Sequence, residues 1–105
     1  MKISLHLHPE RAKVKKILPG IIDYLQKNGH EVFICEKDYN LCRTYTVSLL
    51  KNIEECVNIP ADLVISIGGD GTFIGAARLI AGTEIPIIGL HSGGLGFLAE
   101  VLLEN

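Results

Sequence analysis

The sequence predicts an α/β fold with an open, mainly parallel sheet and helices on both faces. Short apolar runs alternate along the chain with segments whose apolar residues repeat at helical spacing. One run, "ADLVISI" after Pro60, is apolar almost throughout, as in a strand buried on both faces. Glycine-rich turns directly follow two of the runs. Strands that alternate with helices are joined by right-handed crossovers, so a three-layer, Rossmann-like domain is expected.

The first half of the chain predicts a strand, a helix and a second strand. "KISLHLH" alternates apolar and polar residues, and "EVFIC" is a second short apolar run. Pro9 suits the first turn of the helix between them, Pro19 predicts a kink or a break, and "NGH" ends it. Glu36–Arg43 is polar and is predicted as a loop. The apolar face of the helix comprises Val14, Ile17, Leu18, Ile21, Ile22 and Leu25.

The second half predicts two more helices and two more strands, which gives four strands in all. "TVSLLKNIEECV" has Val47, Leu50, Ile53 and Val57 at helical spacing and is predicted as the second helix. "ADLVISI" is the third strand and "IPIIGL" the fourth. A third helix between them ends at Gly82, and its predicted apolar stripe is Phe73, Ile74, Ala77 and Ile80.

Composition limits the classes of partner and compartment. The chain has 105 residues, 48% hydrophobic and 21% charged, which suits one globular domain. A net charge of −2 does not suggest a nucleic-acid partner, and no apolar run approaches the roughly 20 residues of a membrane span. The N-terminus lacks a signal-peptide pattern. The three cysteines, Cys35, Cys42 and Cys56, have no C-x-x-C spacing, so free thiols in a reducing cytoplasm are expected.

The glycine-rich turns at Gly68–Gly71 and Gly93–Gly96 predict a ligand site. Both follow strands, so both should lie at the carboxyl edge of the sheet, where such folds bind ligands. Glycines before a helix let a phosphate approach free backbone N–H groups. The G-x-x-x-x-G-K-[ST] loop is absent, no lysine is near in the sequence, and the glycine spacing differs from the dinucleotide fingerprint.

Asp70 is the unusual residue of the first turn, because an acid repels phosphate. It would be functional if it binds a hydroxyl, holds a metal or accepts a proton. The alternative is a turn residue whose carboxylate caps the next helix. A second possible ligand pair, His6 and His8, has H-x-H spacing, for which ordinary surface packing is the alternative to metal binding.

Two motifs together resemble the amino-terminal half of the NAD kinases. "GGDGT" follows an apolar strand, and "GLHSGGLGFLAE" follows about twenty residues later. Phosphofructokinases and the diacylglycerol and sphingosine lipid kinases have similar GGDG turns. "LGFL" at Leu95–Leu98 is the more discriminating motif, and it looks like that of the NAD kinases.

The resemblance implies transfer of the γ-phosphoryl group of ATP to the 2′-hydroxyl of the adenosine ribose of NAD, giving NADP, with a divalent metal such as Mg²⁺. It implies that Asp70 contacts that hydroxyl as the catalytic base. The other residues it implies for substrate and nucleotide binding are Gly68, Gly69, Gly71 and Thr72 in the turn, with Ile74, His91 and Phe97. For His91, a hydrogen-bonded structural role is the alternative.

The resemblance also implies a second, β-rich half with an Asn-Glu motif, which residues 1–105 do not include. We therefore expect residues 1–105 to be the amino-terminal nucleotide-binding domain, incomplete for activity alone, and the full-length protein to be a homo-oligomer. Two alternatives stay open at this point. One is another GGDG kinase, a lipid kinase or phosphofructokinase relative, and the other is a non-catalytic nucleotide-binding module.

Overall fold

The computed structural model describes residues 1–8 and 11–90, which form a parallel sheet with helices against it. Its five strands lie in the order β3-β2-β1-β4-β5, so the α/β prediction is confirmed, with one strand more than expected. The strands are β1 (Lys2–Leu7), β2 (Glu31–Cys35), β3 (Ser48–Leu50), β4 (Leu63–Ile67) and β5 (Ile87–Leu90). The helices are α1 (Arg11–Lys27) and α2 (Asp70–Leu79), with 3₁₀ helices at Glu36–Leu41 and Ile53–Val57.

β1 is the central strand, and the direction of the chain reverses around it. It pairs with β2 on one side, where Ile3 lies opposite Val32, and with β4 on the other, where Ile3 lies opposite Leu63. The chain first adds strands outward through β3, then crosses back to place β4 and β5 on the opposite side. The carboxyl ends of β1 and β4 therefore flank the topological switch point of the sheet, the usual place for a ligand.

α1 covers one face of the sheet and supplies the larger core. Its buried residues Val14, Leu18, Ile21, Ile22 and Leu25 lie one helical turn or less apart. They pack against the side chains that β1, β2, β4 and β5 direct to that face, Ile65 at the centre among them. Pro19 lies inside a single helix, so the expected break there is not found.

α2 and the 3₁₀ helix Ile53–Val57 cover the opposite face. Ala76 and Ile80 pack there with Phe33 and Val64, and this second core confirms three layers. Gly89 of β5 allows α2 to lie close to the sheet, because a Cβ there would be 2.9 Å from Cδ2 of Phe73. The same face carries two fully buried hydroxyls, those of Ser4 and Ser66, that lack a hydrogen-bond partner among the described residues.

The predicted second helix over "TVSLLKNIEECV" is wrong. Its first half contains β3, which pairs with the edge of β2, and its second half forms the 3₁₀ helix Ile53–Val57. A three-residue strand is too short to show a period of two. The helical spacing of the apolar residues across the whole segment therefore gave a wrong prediction. The polar segment after β2, predicted as a loop, begins with the 3₁₀ helix Glu36–Leu41.

The predicted apolar stripe of the third helix is only partly correct. α2 begins at Asp70 and buries Thr72 and Ala76, and Ile80 directly after it is buried too. Ile74 is 49% exposed, so it does not belong to the core. Gly82, with φ of +86°, lies in the turn that follows the helix.

The three cysteines are free and buried, as the sequence predicts. Desolvation by burial raises the pKa of each thiol, so each stays protonated at neutral pH. A protonated, inaccessible thiol reacts slowly, which agrees with a structural role. In the part of the chain that the structure describes, no helix has the length and apolar character needed to cross a bilayer.

Candidate functional site

Three strand ends meet at the switch point. The backbone N–H of His8, just after β1, donates to the carbonyl of Ile67 at 3.0 Å. The N–H of Gly68, just after β4, donates to the carbonyl of Leu90 at 3.0 Å. The glycine turn therefore begins between the ends of β1 and β5. The second predicted turn, Gly93–Gly96, lies outside the described residues, as do His91 and Phe97.

Gly68 lies where these segments are in close contact. Its φ is +153°, a conformation that glycine adopts readily and residues with a Cβ adopt rarely. A Cβ at this position would lie 2.7 Å from Cβ of His8 and 2.8 Å from Oγ1 of Thr72. The glycine therefore lets the end of β1, the end of β4 and the first turn of α2 touch.

The start of α2 presents backbone donors that have no side-chain cap. Gly69 occupies the N-cap position and has no side chain to bond the first amides. The first helical bond is donated by Phe73 to the carbonyl of Gly69 at 3.2 Å. The N–H groups at the beginning of a helix lack intrahelical acceptors and favour an anion. Asp70, Gly71 and Thr72 supply those N–H groups here.

Asp70 is the first residue of α2, and its carboxylate is free. Its side chain is exposed and makes no hydrogen bond or ion pair with any residue among those described. Because the N-cap is Gly69, the structure does not support the alternative in which Asp70 caps the helix. A carboxylate at the first helical position interacts favourably with the helix dipole and remains open to a ligand. It can accept a hydrogen bond or a proton from a hydroxyl.

A shallow cavity of about 360 Å³, largely open to solvent, lies beside this turn. This volume is within the usual range of small-molecule sites, about 300–1,000 Å³. The cavity brings together two predicted residues, Gly71 and Thr72, whereas Ile74 is exposed on α2 away from its wall. It is lined by His6, Leu7, His8, Lys37, Gly71 and Thr72.

Sequence reasoning missed Lys37 as part of this site. No lysine is near the turn in the sequence, but Lys37, which is distant in the sequence, lines the same cavity. Lys37 is the second residue after β2, and a parallel sheet brings the ends of all its strands to one edge. That rule, applied to β2 as it was to β4, would have found it.

His6 of β1 and His8, directly after that strand, both line the cavity. Burial lowers the pKa of His6, nearby Lys37 lowers it further, and Asp38 opposes the shift. A lowered pKa makes His6 neutral at pH 7. Within residues 1–8 and 11–90, no group of three or more histidine, cysteine or acidic side chains is arranged to hold a metal.

Gly71 gives a test that separates folding from ligand binding. A Cβ at Gly71 would meet nothing within 4 Å, and alanine favours a helix by up to about 1 kcal/mol. Gly71→Ala is therefore expected to keep or slightly raise the melting temperature. Because Gly71 lines the cavity, an added methyl group would hinder a ligand bound there, and we expect kcat/KM of the full-length protein to fall about 10- to 100-fold. Unchanged activity would show that no ligand approaches this part of the turn.

Comparison with known proteins identifies the family. The family model described as "ATP-NAD kinase N-terminal domain" matches residues 5–105. A curated NAD kinase of Bacteroides fragilis is 36% identical over 107 residues, which cover 100% of this chain and 37% of that protein. The NAD kinase of Bdellovibrio bacteriovorus is 33% identical over 91% of this chain and 30% of its own length. That of Geobacter metallireducens is 59% identical over 45 residues, 43% of this chain and 16% of that protein.

The matches select among the kinases that have a GGDG turn. The chain spans about a third of the length of the curated relatives it matches. The family model matches nearly the whole of this chain. A lipid kinase or phosphofructokinase relative, and a non-catalytic module, are therefore not favoured. The glycine turn, the free acid and these matches together show that the chain belongs to the NAD kinase family, matching its amino-terminal domain.

Proposed function

We propose that the full-length protein phosphorylates the 2′-hydroxyl of the adenosine ribose of NAD with ATP, giving NADP. The observation that carries this proposal is the free carboxylate of Asp70 beside uncapped helix amides at the switch point. A carboxylate suits a hydroxyl substrate, and backbone donors suit the phosphates of a nucleotide. The named relatives are NAD kinases, which supports NAD as the acceptor.

The proposed reaction needs one proton acceptor and good positioning. The 2′-oxygen of NAD forms a bond to the γ-phosphorus of ATP, and the bond from that phosphorus to the β,γ-bridging oxygen breaks. The hydroxyl proton passes to the carboxylate of Asp70, and ADP leaves with the bond's electron pair. Most of the rate enhancement in phosphoryl transfer comes from positioning and charge stabilisation. The start of α2 supplies fixed dipoles for both.

Mg²⁺ is part of the proposal as the companion of ATP. In such sites the ion is bound by the nucleotide's phosphates with one or two protein carboxylates. The donor set at the turn fits that arrangement, because Asp70 is an exposed carboxylate there. The bound ion would neutralise phosphate charge during transfer.

The remaining expectations stay predictions within this proposal. Ile74 is exposed on α2, one helical turn after Asp70, which leaves it accessible to a dinucleotide. The roles of His91 and Phe97 concern residues outside those described. The three free cysteines support a cytoplasmic location. A homo-oligomeric full-length protein is likewise a proposal.

The test is a phosphorylation assay with competing acceptors. Purified full-length protein, ATP and Mg²⁺ are incubated with NAD, fructose 6-phosphate or diacylglycerol, and the products are quantified. We expect NADP alone to form. Residues 1–105, assayed in parallel, should turn over far more slowly, because the relatives are about three times as long. Phosphorylation of either other acceptor in place of NAD would refute the proposal.

A further inference from the structure

The cavity beside the glycine turn carries an excess of positive charge on one wall. Lys37 reaches it from the segment after β2, whereas Gly71 and Thr72 reach it from the start of α2. Lys37 makes no ion pair with any carboxylate of the described residues, and the residue is exposed. Each wall thus offers hydrogen-bond donors, one as an ammonium group and one as backbone N–H groups at the positive end of a helix dipole.

We infer that this cavity holds phosphoryl oxygens of a bound nucleotide, and that Lys37 is the cation that positions them. This inference rests on the proposed function for its choice of nucleotides. Lysine binds phosphate as a point charge with three donors, so it needs no fixed fork geometry. With a volume of about 360 Å³, the cavity is large enough for a di- or triphosphate group.

The charges around the cavity explain why a lysine is needed. Asp70 adjoins Gly71 at the start of α2, and its carboxylate would repel a phosphate beside it. His6 cannot offset that charge, since its lowered pKa makes it neutral at pH 7. Asp38, which follows Lys37, is buried, and its charge opposes the lowering of the pKa of His6. Among the described side chains that line the cavity, Lys37 is therefore the cation that would offset Asp70, and His8 contributes a second imidazole.

The experiment measures binding without turnover. The dissociation constants of full-length protein are determined for ATP without NAD, for NAD without ATP, and for inorganic tripolyphosphate. We expect Lys37→Ala to raise the dissociation constants of tripolyphosphate and of at least one nucleotide roughly tenfold. This is the effect of losing one charge-assisted hydrogen bond near the surface. Weaker ATP binding would assign the cavity to the donor's phosphates, and weaker NAD binding to the pyrophosphate of the acceptor. Lys37→Arg should restore most of the affinity.

Lys51→Ala is the matched control. Lys51 is exposed directly after β3, at the same edge of the sheet, but does not line the cavity. A general surface charge contributes little, so this variant should change binding less than about twofold. Equal binding of all three probes by Lys37→Ala and wild type would overturn the inference, even if NADP is formed. If the wild-type protein makes no NADP but Lys37→Ala still weakens binding of the probes, the proposed function is refuted and the inference about Lys37 stands.

Discussion

Asp70→Asn in the full-length protein is expected to lower the turnover number about 10²–10⁴-fold, the usual effect of losing a general base. Asparagine keeps the shape of the side chain and can still hydrogen bond the substrate hydroxyl, but it cannot take its proton. Because Asp70 is exposed and has no partner among the described residues, the fold should be nearly unaffected. The loss of a favourable helix-dipole contact amounts to less than about 1 kcal/mol.

Two measurements on the same preparation check this expectation, the melting temperature and the turnover number. Glu84→Gln is a suitable control, because Glu84 is an exposed carboxylate before β5, at the opposite edge of the sheet from the site. It should change neither value. Near-normal turnover in Asp70→Asn would reduce Asp70 to a helix-start residue and remove the chemical basis of the proposed reaction.

Gly68→Ala should destabilise the domain by about 2–4 kcal/mol, through backbone strain and overpacking together. The added Cβ would lie 2.7 Å from Cβ of His8, which is held by its own backbone hydrogen bond to Ile67 and cannot easily withdraw. The φ of +153° adds strain for any residue with a side chain. A loss of this size is a large share of the total stability of a small domain.

Denaturant unfolding of Gly68→Ala beside Gly75→Ala tests this expectation. A Cβ at Gly75 would meet nothing within 4 Å, and Gly75 lies inside α2, so alanine there should be neutral or stabilising by up to about 1 kcal/mol. If both variants unfold at the same denaturant concentration as wild type, the close approach at Gly68 does not constrain the fold.

The sequence was most informative for the strands of four or more residues. The prediction of "EVFIC" matches β2 residue for residue. The predicted first, third and fourth strands contain β1, β4 and β5, respectively. The apolar run of β4, which is buried at every position, reflects burial against helices on both faces, and a single sequence records this directly. β3 escaped detection because its three residues are fixed by pairing with β2 at the edge, a contact distant in sequence.

The site was predictable from the glycine turn but not from its opposite wall. Gly68–Thr72 has a recognisable pattern because glycine is required at Gly68 and a helix begins at Asp70. Lys37 has no such pattern, since a lysine after a strand is ordinary on any surface. Only the order of strands places it across from α2, and that order follows from the whole sheet.

The position of β1 at the centre of the sheet determines when the domain can fold. β1 is synthesised before β4, and the pairing of the two strands joins residues about 60 apart, as does the hydrogen bond from the backbone N–H of Lys2 to the carboxylate of Asp62 at 2.7 Å. Closing so long a loop makes this step slow relative to local pairing of β1 with β2 through α1. During synthesis, the edge of β1 that pairs with β4 therefore stays unpaired until β4 has left the ribosome. The glycine turn, which follows β4, is completed only as that edge closes.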